Sequence, residues 1–225
     1  MVNFVCGPLW FLNADLIIEF ISLLIALLIG IFSHRACKFT NERKYLYFAL
    51  AFYLIAASFG IKMLASWLSC SQFKQIVFES VTMVQYNLNN IQTIYALGSF
   101  LHRFFMLTGL IILTTLCLRI KANKTRLLLL FFIFISTWFS RETYFIFHLI
   151  AAFLLLYISL FFYANHYKKQ TKNSFLVALA FALMFISQLI FIFVLLDQKI
   201  YVVGVIIQLL GFLSLLLTYL LIGKK

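Results

Sequence analysis

Proline, glycine and acidic residues are scarce in this sequence of 225 residues. It has one proline, Pro8, and eight glycines, so few positions would interrupt a helix. Only six residues are aspartate or glutamate, charged residues make up 11% of the chain, and 65% of the residues are hydrophobic. A soluble domain of this composition would expose more apolar surface than it could bury. The sequence therefore argues against a soluble protein and indicates one that lies in a lipid bilayer.

Sequence motifs of known catalytic and metal sites are also missing. The chain has no His-Glu-x-x-His, no Gly-x-Ser-x-Gly, no Cys-x-x-Cys and no phosphate-binding loop. We therefore expect neither an enzyme nor a metal or cofactor site. The first ten residues lack Lys and Arg, so we also expect no cleaved signal peptide.

Apolar runs near the length of a membrane span follow one another along the chain. A helix needs about 20 such residues to cross the bilayer. The whole chain is thus predicted to be one all-α transmembrane domain of seven helices, of which the fourth is short. Their predicted positions are about 11–32, 45–68, 93–118, 127–140, 143–163, 174–196 and 200–222.

Basic residues predict the orientation of these helices. Thirteen of the 18 Lys and Arg residues lie between helices 1 and 2, 3 and 4, and 5 and 6, and in the C-terminal tail. Cytoplasmic loops carry such an excess, so we expect a cell-membrane protein with its N-terminus outside and its C-terminus in the cytoplasm. Trp10, Trp67 and Trp138 at the outer helix ends agree with this orientation. Anionic lipids are the expected partner of the net charge of +12, and nucleic acid is not expected.

The longest outer segment, 69–92, repeats apolar residues at helical spacing. It is predicted either to extend helix 3 outward or to lie on the membrane surface. Cys6 and Cys70 both lie on the outer side, where a disulfide between them is one prediction. Cys37 and Cys117 face the reducing cytoplasm.

Two stretches of the chain resemble each other. Residues 49–52 and 178–181 both read Ala-Leu-Ala-Phe, and each is followed at equal spacing by a leucine and a serine. Residues 92–98 and 198–204 share Gln, Ile, Tyr and Gly without a gap, and the same spacing as in helices 2 and 6 aligns Glu19 with His148. We predict a parallel repeat, with one copy at about 11–118, a linker helix at about 127–140 and a second copy at about 143–222.

Two triplets of equal orientation joined by a single helix resemble the SWEET and PQ-loop transporters. Opsin-like proteins and sensor-type seven-helix membrane domains are similar in helix number and in having the N-terminus outside. The resemblance concerns architecture and implies transport or reception of a small molecule. The Pro-Gln pair of PQ-loop proteins is absent from helices 1 and 5, and Lys199 lies at the outer end of helix 7 rather than where opsin-like proteins bind retinal.

Seven ionisable or amide side chains lie within the predicted helices at a common depth. Counted at about 1.5 Å per residue from the cytoplasmic ends, they come out roughly 20–26 Å up, in the outer third of a ~30 Å core. Such residues are costly in lipid and are candidates for function, and small residues on the same helix faces indicate that they face the bundle interior. The predicted ligand-binding residues are Glu19, Lys62, His102, Arg103, His148, Gln188 and Gln208.

Structural interpretations compete with ligand binding at these positions. Lys62 would either extend to the surface or pair with Glu19, and Arg103 is a second candidate partner for Glu19. The two glutamines would link helices. His102 and His148 would suit a haem between helices, although two histidines are a weak signal for one.

Transport is the preferred prediction from these residues. Arg103, Lys62 and His102 would favour a small polar or anionic solute, with Glu19 and His148 as counter-charges or proton carriers. One alternative is a receptor or sensor domain that signals to a separate cytoplasmic partner. Another is a structural or assembly subunit. An intramembrane hydrolase would require Glu19 and His148 to lie within reach of each other.

Overall fold

The computed structural model describes residues 9–76, 81–118, 120, 122–140, 144–170 and 172–223. These residues form seven α-helices, two short 3₁₀ helices and no strand. The α-helices are α1 Leu12–Thr40, α2 Arg43–Ile76, α3 Val81–Cys117, α4 Asn123–Phe139, α5 Tyr144–Lys169, α6 Lys172–Ile192 and α7 Gln198–Gly223. The 3₁₀ helices precede α1 and follow α6 at Leu9–Phe11 and Phe193–Leu195.

Six of the helices are long and apolar enough to span a membrane. The exception is α4, whose apolar part, Leu127–Phe139, is shorter, as the sequence predicted. This architecture is that of a multi-pass helical membrane protein. Its helices satisfy their own backbone hydrogen bonds, which a hydrocarbon environment requires.

Neighbouring helices run in opposite directions, so that α1, α3, α5 and α7 all begin at the same end of the bundle. We call this the upper end, and the opposite one the lower end. Because Ser140, just after α4, reaches the upper part of α3, α4 also runs from the lower to the upper end. The contacts that fix these directions are Glu19 with Lys62, His102 with Ser58, Arg103 with Ser140, His148 with Gln188 and Asp15 with Tyr201.

Six helices form a closed ring in the order α1, α2, α3, α5, α6, α7. The α4 helix lies outside this ring, packed against α3 and α5. We call α1–α3 the first triplet and α5–α7 the second triplet. They contact each other through α1 with α7 and through α3 with α5. If α1, α2 and α3 are exchanged for α5, α6 and α7 in that order, the α1–α7 pair becomes the α5–α3 pair.

The turns after α1 and after α5 have the same geometry. Asn41 and Gln170 are the two non-glycine residues with positive φ in the described chain, at 55° and 51°. The N–H of Asn41 donates to the carbonyl of Cys37 at 2.8 Å, and that of Gln170 to His166 at 2.7 Å. The spacing from Asn41 to Gln170 is 129 residues, the same spacing that aligns the two Ala-Leu-Ala-Phe stretches.

The middle of the bundle is packed by large apolar side chains from five helices. One from each of α2, α3, α5, α6 and α7 is at most 4% exposed. They belong to one continuous core and lie between the upper and the lower halves of the ring. We call this set the central layer: Ile55, Leu110, Leu155, Met184 and Phe212.

Most of the segment 69–92 is helical rather than a loop. The α2 helix continues to Ile76 and α3 begins at Val81, so this segment lengthens helix 3, as one of the two predictions had it. The apolar spans end at Leu68 and begin again at Thr93, as predicted, and polar residues continue both helices beyond these spans. Cys6 lies outside the described residues, so its disulfide with Cys70 stays a prediction.

Candidate functional site

A cavity of about 90 Å³ lies inside the upper half of the bundle. A single water needs ~10–15 Å³ of such volume, so the cavity has room for several waters or for a solute of a few heavy atoms. Six of the seven predicted site residues line it, and Glu19 lies behind Lys62. The lining residues come from α2, α3, α5, α6 and α7: Phe59, Lys62, Ala65, Ser66, Tyr95, Ser99, His102, Arg103, Met106, Phe147, His148, Gln188, Phe191, Tyr201 and Gln208.

Lys62 forms an ion pair with Glu19. The Nζ atom of Lys62 lies 2.5 Å from Oε1 of Glu19, whose side chain is only 4% exposed. Of the sequence alternatives, the pair with Glu19 is therefore the one present, and Lys62 does not extend to the surface away from it. A buried carboxylate is tolerated when a cation of this kind compensates it. The pair ties α1 to α2 at the level of the cavity.

Tyr201 extends this pair to a second carboxylate. Its hydroxyl donates to Oδ2 of Asp15 at 2.7 Å and accepts a hydrogen bond from Lys62 at 3.3 Å. The chain Glu19, Lys62, Tyr201, Asp15 thus joins α1, α2 and α7. The sequence reasoning did not select Asp15 or Tyr201 as site residues. The signal was available, because Asp15 precedes Glu19 by one helical turn on the same face.

The ammonium group of Lys62 contacts Glu19 directly and Asp15 only through the Tyr201 hydroxyl. Within the described part of the protein, Oε2 of Glu19 and Oδ1 of Asp15 are buried and have no hydrogen-bond partner. With both acids and Lys62 ionised, the three groups would carry a net charge of about −1 in a medium of low dielectric constant, which is unfavourable. The cluster therefore has the capacity to accept a proton or the donor of a solute.

Arg103 contacts the end of α4 rather than Glu19. One of its terminal nitrogens donates to the backbone carbonyl of Ser140, and the Ser140 hydroxyl lies 3.3 Å from the same nitrogen. Its guanidinium carbon is 5.9 Å from the ring centre of Phe147. Guanidinium has five N–H donors in a planar fork, a geometry that matches carboxylate and phosphate oxygens. The predicted Glu19–Arg103 pair is thus wrong, because Arg103 faces α4 and α5 across the cavity.

The two histidines are each held by a defined acceptor. Nδ1 of His102 lies 3.0 Å from the carbonyl oxygen of Ser58, and Nδ1 of His148 lies 2.8 Å from Oε1 of Gln188. Because both partners are oxygen acceptors, Nδ1 is the donor in each case. Both rings also contact Phe147. In the described ranges, no group of three or more His, Cys, Asp or Glu is arranged to hold a metal.

The central layer closes the cavity from below. Met106 and Phe59 line the cavity floor, and Leu110 and Ile55 lie one turn deeper on the same helices. The cavity therefore belongs to the upper half of the bundle alone.

No protein-family model, curated protein or solved structure matches this chain. The function is therefore inferred from the geometry of the site.

Proposed function

We propose that the protein is a membrane transporter that binds a small polar or anionic solute in the upper cavity. The observation that carries this proposal is the convergence of polar side chains from six helices at one level, although each is costly to place in lipid. Lys62 and Arg103 supply positive charge on two sides of the cavity. Gln188 and Gln208 supply amide groups that would orient the solute.

An anionic solute would compete with Glu19 for Lys62. Protonation of Glu19 removes that competition, because a neutral carboxyl group no longer holds the ammonium by charge. Binding of the solute anion and of a proton would then favour each other. This coupling makes a proton the natural co-transported ion.

A parallel repeat gives this site a means of opening to both sides. The equal spacing of Asn41 and Gln170, the two Ala-Leu-Ala-Phe stretches, and the exchange symmetry of the ring support two triplets, α1–α3 and α5–α7, with α4 as the linker. The cavity lies between the triplets. Transporters built from such repeats move one unit against the other around a fixed site.

The upper end is proposed to face the outside of the cell. Nine of the 13 Lys and Arg residues that the structure describes lie at the lower end, where an excess of basic residues is typical of the cytoplasmic side. Trp10, Trp67 and Trp138 lie near the upper end with 58–72% of their surface exposed, which suits rings at a membrane interface. In this orientation seven traverses, including α4, place the C-terminus in the cytoplasm.

Flux into proteoliposomes tests the proposal. A panel of radiolabelled small carboxylates and neutral polar solutes would be screened for saturable uptake driven by an inward proton gradient. Arg103→Ala and Glu19→Gln should abolish uptake of the active solute. The matched controls are Arg35→Ala and Glu42→Gln, which change exposed residues at the lower end and should leave uptake unchanged.

Other outcomes would favour the alternatives. Saturable binding without flux, together with a co-purifying cytoplasmic protein, would indicate a receptor or sensor. A structural or assembly subunit is favoured by a specific observation: most polar contacts of the site join adjacent helices, namely α1–α2, α2–α3, α3–α4, α5–α6 and α1–α7. That function predicts loss of thermal stability in every site variant and no bound solute.

A further inference from the structure

A second and larger cavity lies in the lower half of the bundle. Its volume is about 320 Å³, within the ~300–1,000 Å³ typical of small-molecule sites. The same five helices that line the upper cavity line this one, and the central layer separates the two. Its walls are mainly aromatic and aliphatic, as at Phe48, Leu113 and Ile158.

The walls indicate an apolar occupant. A polar solute would lose hydrogen bonds to water on entering and regain few of them, whereas an alkyl chain would remove its own surface and that of the walls from water. The central layer closes the upper side, so a chain would enter from the lower end and stop there. The volume lies near the bottom of the range for ligand sites, which favours one chain over two.

Lys44 supplies the complementary charge. It is the one charged residue among the described residues that line this cavity, and it lies in the first turn of α2, at the lower end. Its ammonium group pairs with Glu42 and lies 5.0 Å from the ring centre of Tyr45. Both members of the ion pair are more than half exposed, so the pair contributes little and an anionic group could replace Glu42 at small cost.

We propose that the lower cavity binds a single-chain anionic amphiphile, a long-chain fatty acid, with its alkyl chain between the triplets and its carboxylate at Lys44. The site is separate from the solute site of the upper cavity. It would exist whether or not the protein transports a solute.

Binding of tritiated palmitate to the full chain in phosphatidylcholine nanodiscs tests this site. We expect saturable binding with one molecule per chain. Ile158→Phe fills the cavity and should weaken binding at least about tenfold, the factor that corresponds to ~1.4 kcal/mol. Leu160→Phe is the matched control, because Leu160 lies on the same helix but is 56% exposed, and it should bind as the wild type does.

The head group is tested separately. Lys44→Gln should weaken the binding of palmitate but should not change the displacement of bound palmitate by its uncharged methyl ester. Lys38→Gln is the control, because Lys38 is exposed in the last turn of α1, and it should change neither measurement. This pair keeps the proposal testable if Ile158→Phe does not fold. Nonsaturable binding, equal losses in Ile158→Phe and Leu160→Phe, or equal losses in Lys44→Gln and Lys38→Gln would overturn it. So would displacement of palmitate by phosphatidylglycerol at stoichiometric amounts, because the occupant would then be a two-chain bilayer lipid.

Discussion

Gly109 packs directly against the backbone of Ala51: a methyl group on Gly109 would lie 2.8 Å from the Ala51 carbonyl oxygen. In the second triplet, a methyl group on Gly211 would lie 3.1 Å from the carbonyl oxygen of Ala180. Ala180 follows Ala51 by the same 129 residues that separate the two turns, so the two glycines occupy corresponding places. These contacts let α3 approach α2, and α7 approach α6, closely enough to bury the central layer.

Gly109→Ala is expected to destabilise the protein by about 1–3 kcal/mol, because the backbone of α2 cannot move aside as a side chain can. Gly60→Ala is the matched control. Its added methyl group would lie 3.2 Å from the flexible end of Leu23, and alanine is the better helix former. Thermal unfolding in detergent measures both. Equal melting temperatures for the two variants would show that the Gly109 contact is not restrictive.

Lys62→Met should be the most damaging change in the upper cavity. It leaves Glu19 without its paired cation, and loss of one partner of a buried pair costs about 3–5 kcal/mol. Glu19→Gln should cost less, because Lys62 still contacts Tyr201. The double variant should recover part of the stability lost in Lys62→Met, which a double-mutant cycle on thermal unfolding would detect. Additive losses would mean that the two side chains do not interact.

Tyr201→Phe should lower stability by about 1–3 kcal/mol, because it removes the donor to Oδ2 of the partly buried Asp15. Tyr219→Phe is the control, since the Tyr219 hydroxyl makes a longer contact, 3.4 Å, with Ser33. Chemical denaturation of the two variants side by side measures the difference. A smaller loss in Tyr201→Phe than in Tyr219→Phe would contradict the proposed chain of groups.

Ser140→Ala separates the role of Arg103 from that of its partner. The main acceptor for Arg103 is the backbone carbonyl of Ser140, which alanine retains. We expect a stability loss below about 1 kcal/mol and nearly unchanged solute uptake, whereas Arg103→Ala should abolish uptake. If Ser140→Ala abolishes uptake as well, the serine hydroxyl is essential too, and the uptake loss in Arg103→Ala would not assign solute binding to the guanidinium group alone.

The level of the polar residues could be predicted from the sequence, because a helix rises by a fixed distance per residue and lipid confines polar groups to the interior. His102, His148 and Gln208 were predicted to share one level, and they line the same cavity. Their partners could not be predicted, because they depend on the rotation of each helix about its axis. Arg103 thus contacts Ser140, at the end of the short α4 helix, rather than Glu19.

The alignment of α3 with its counterpart α7 could not be predicted from the sequence either. The shared Gln-x-Ile-Tyr-x-x-Gly pattern aligns Gly98 with Gly204, whereas the contacts with α2 and α6 pair Gly109 with Gly211, a shift of four residues or about one helical turn. A shift of one turn keeps the same face of the helix inward, so hydrophobic periodicity does not distinguish the two registers. Only the position of the backbone contacts does.

Thiol labelling at Ser99 gives the sharpest test of an anion-binding cavity open to the outside. Ser99 lines the upper cavity, and Leu97, two residues away, is 59% exposed. Ser99→Cys and Leu97→Cys would be placed separately in a chain with its four native cysteines replaced, and treated in intact cells with impermeant methanethiosulfonates of opposite charge. We predict that the anionic reagent modifies Ser99→Cys severalfold faster than the cationic one, with no such preference at Leu97→Cys. Absence of modification from outside, or faster reaction with the cationic reagent, would contradict the proposed site.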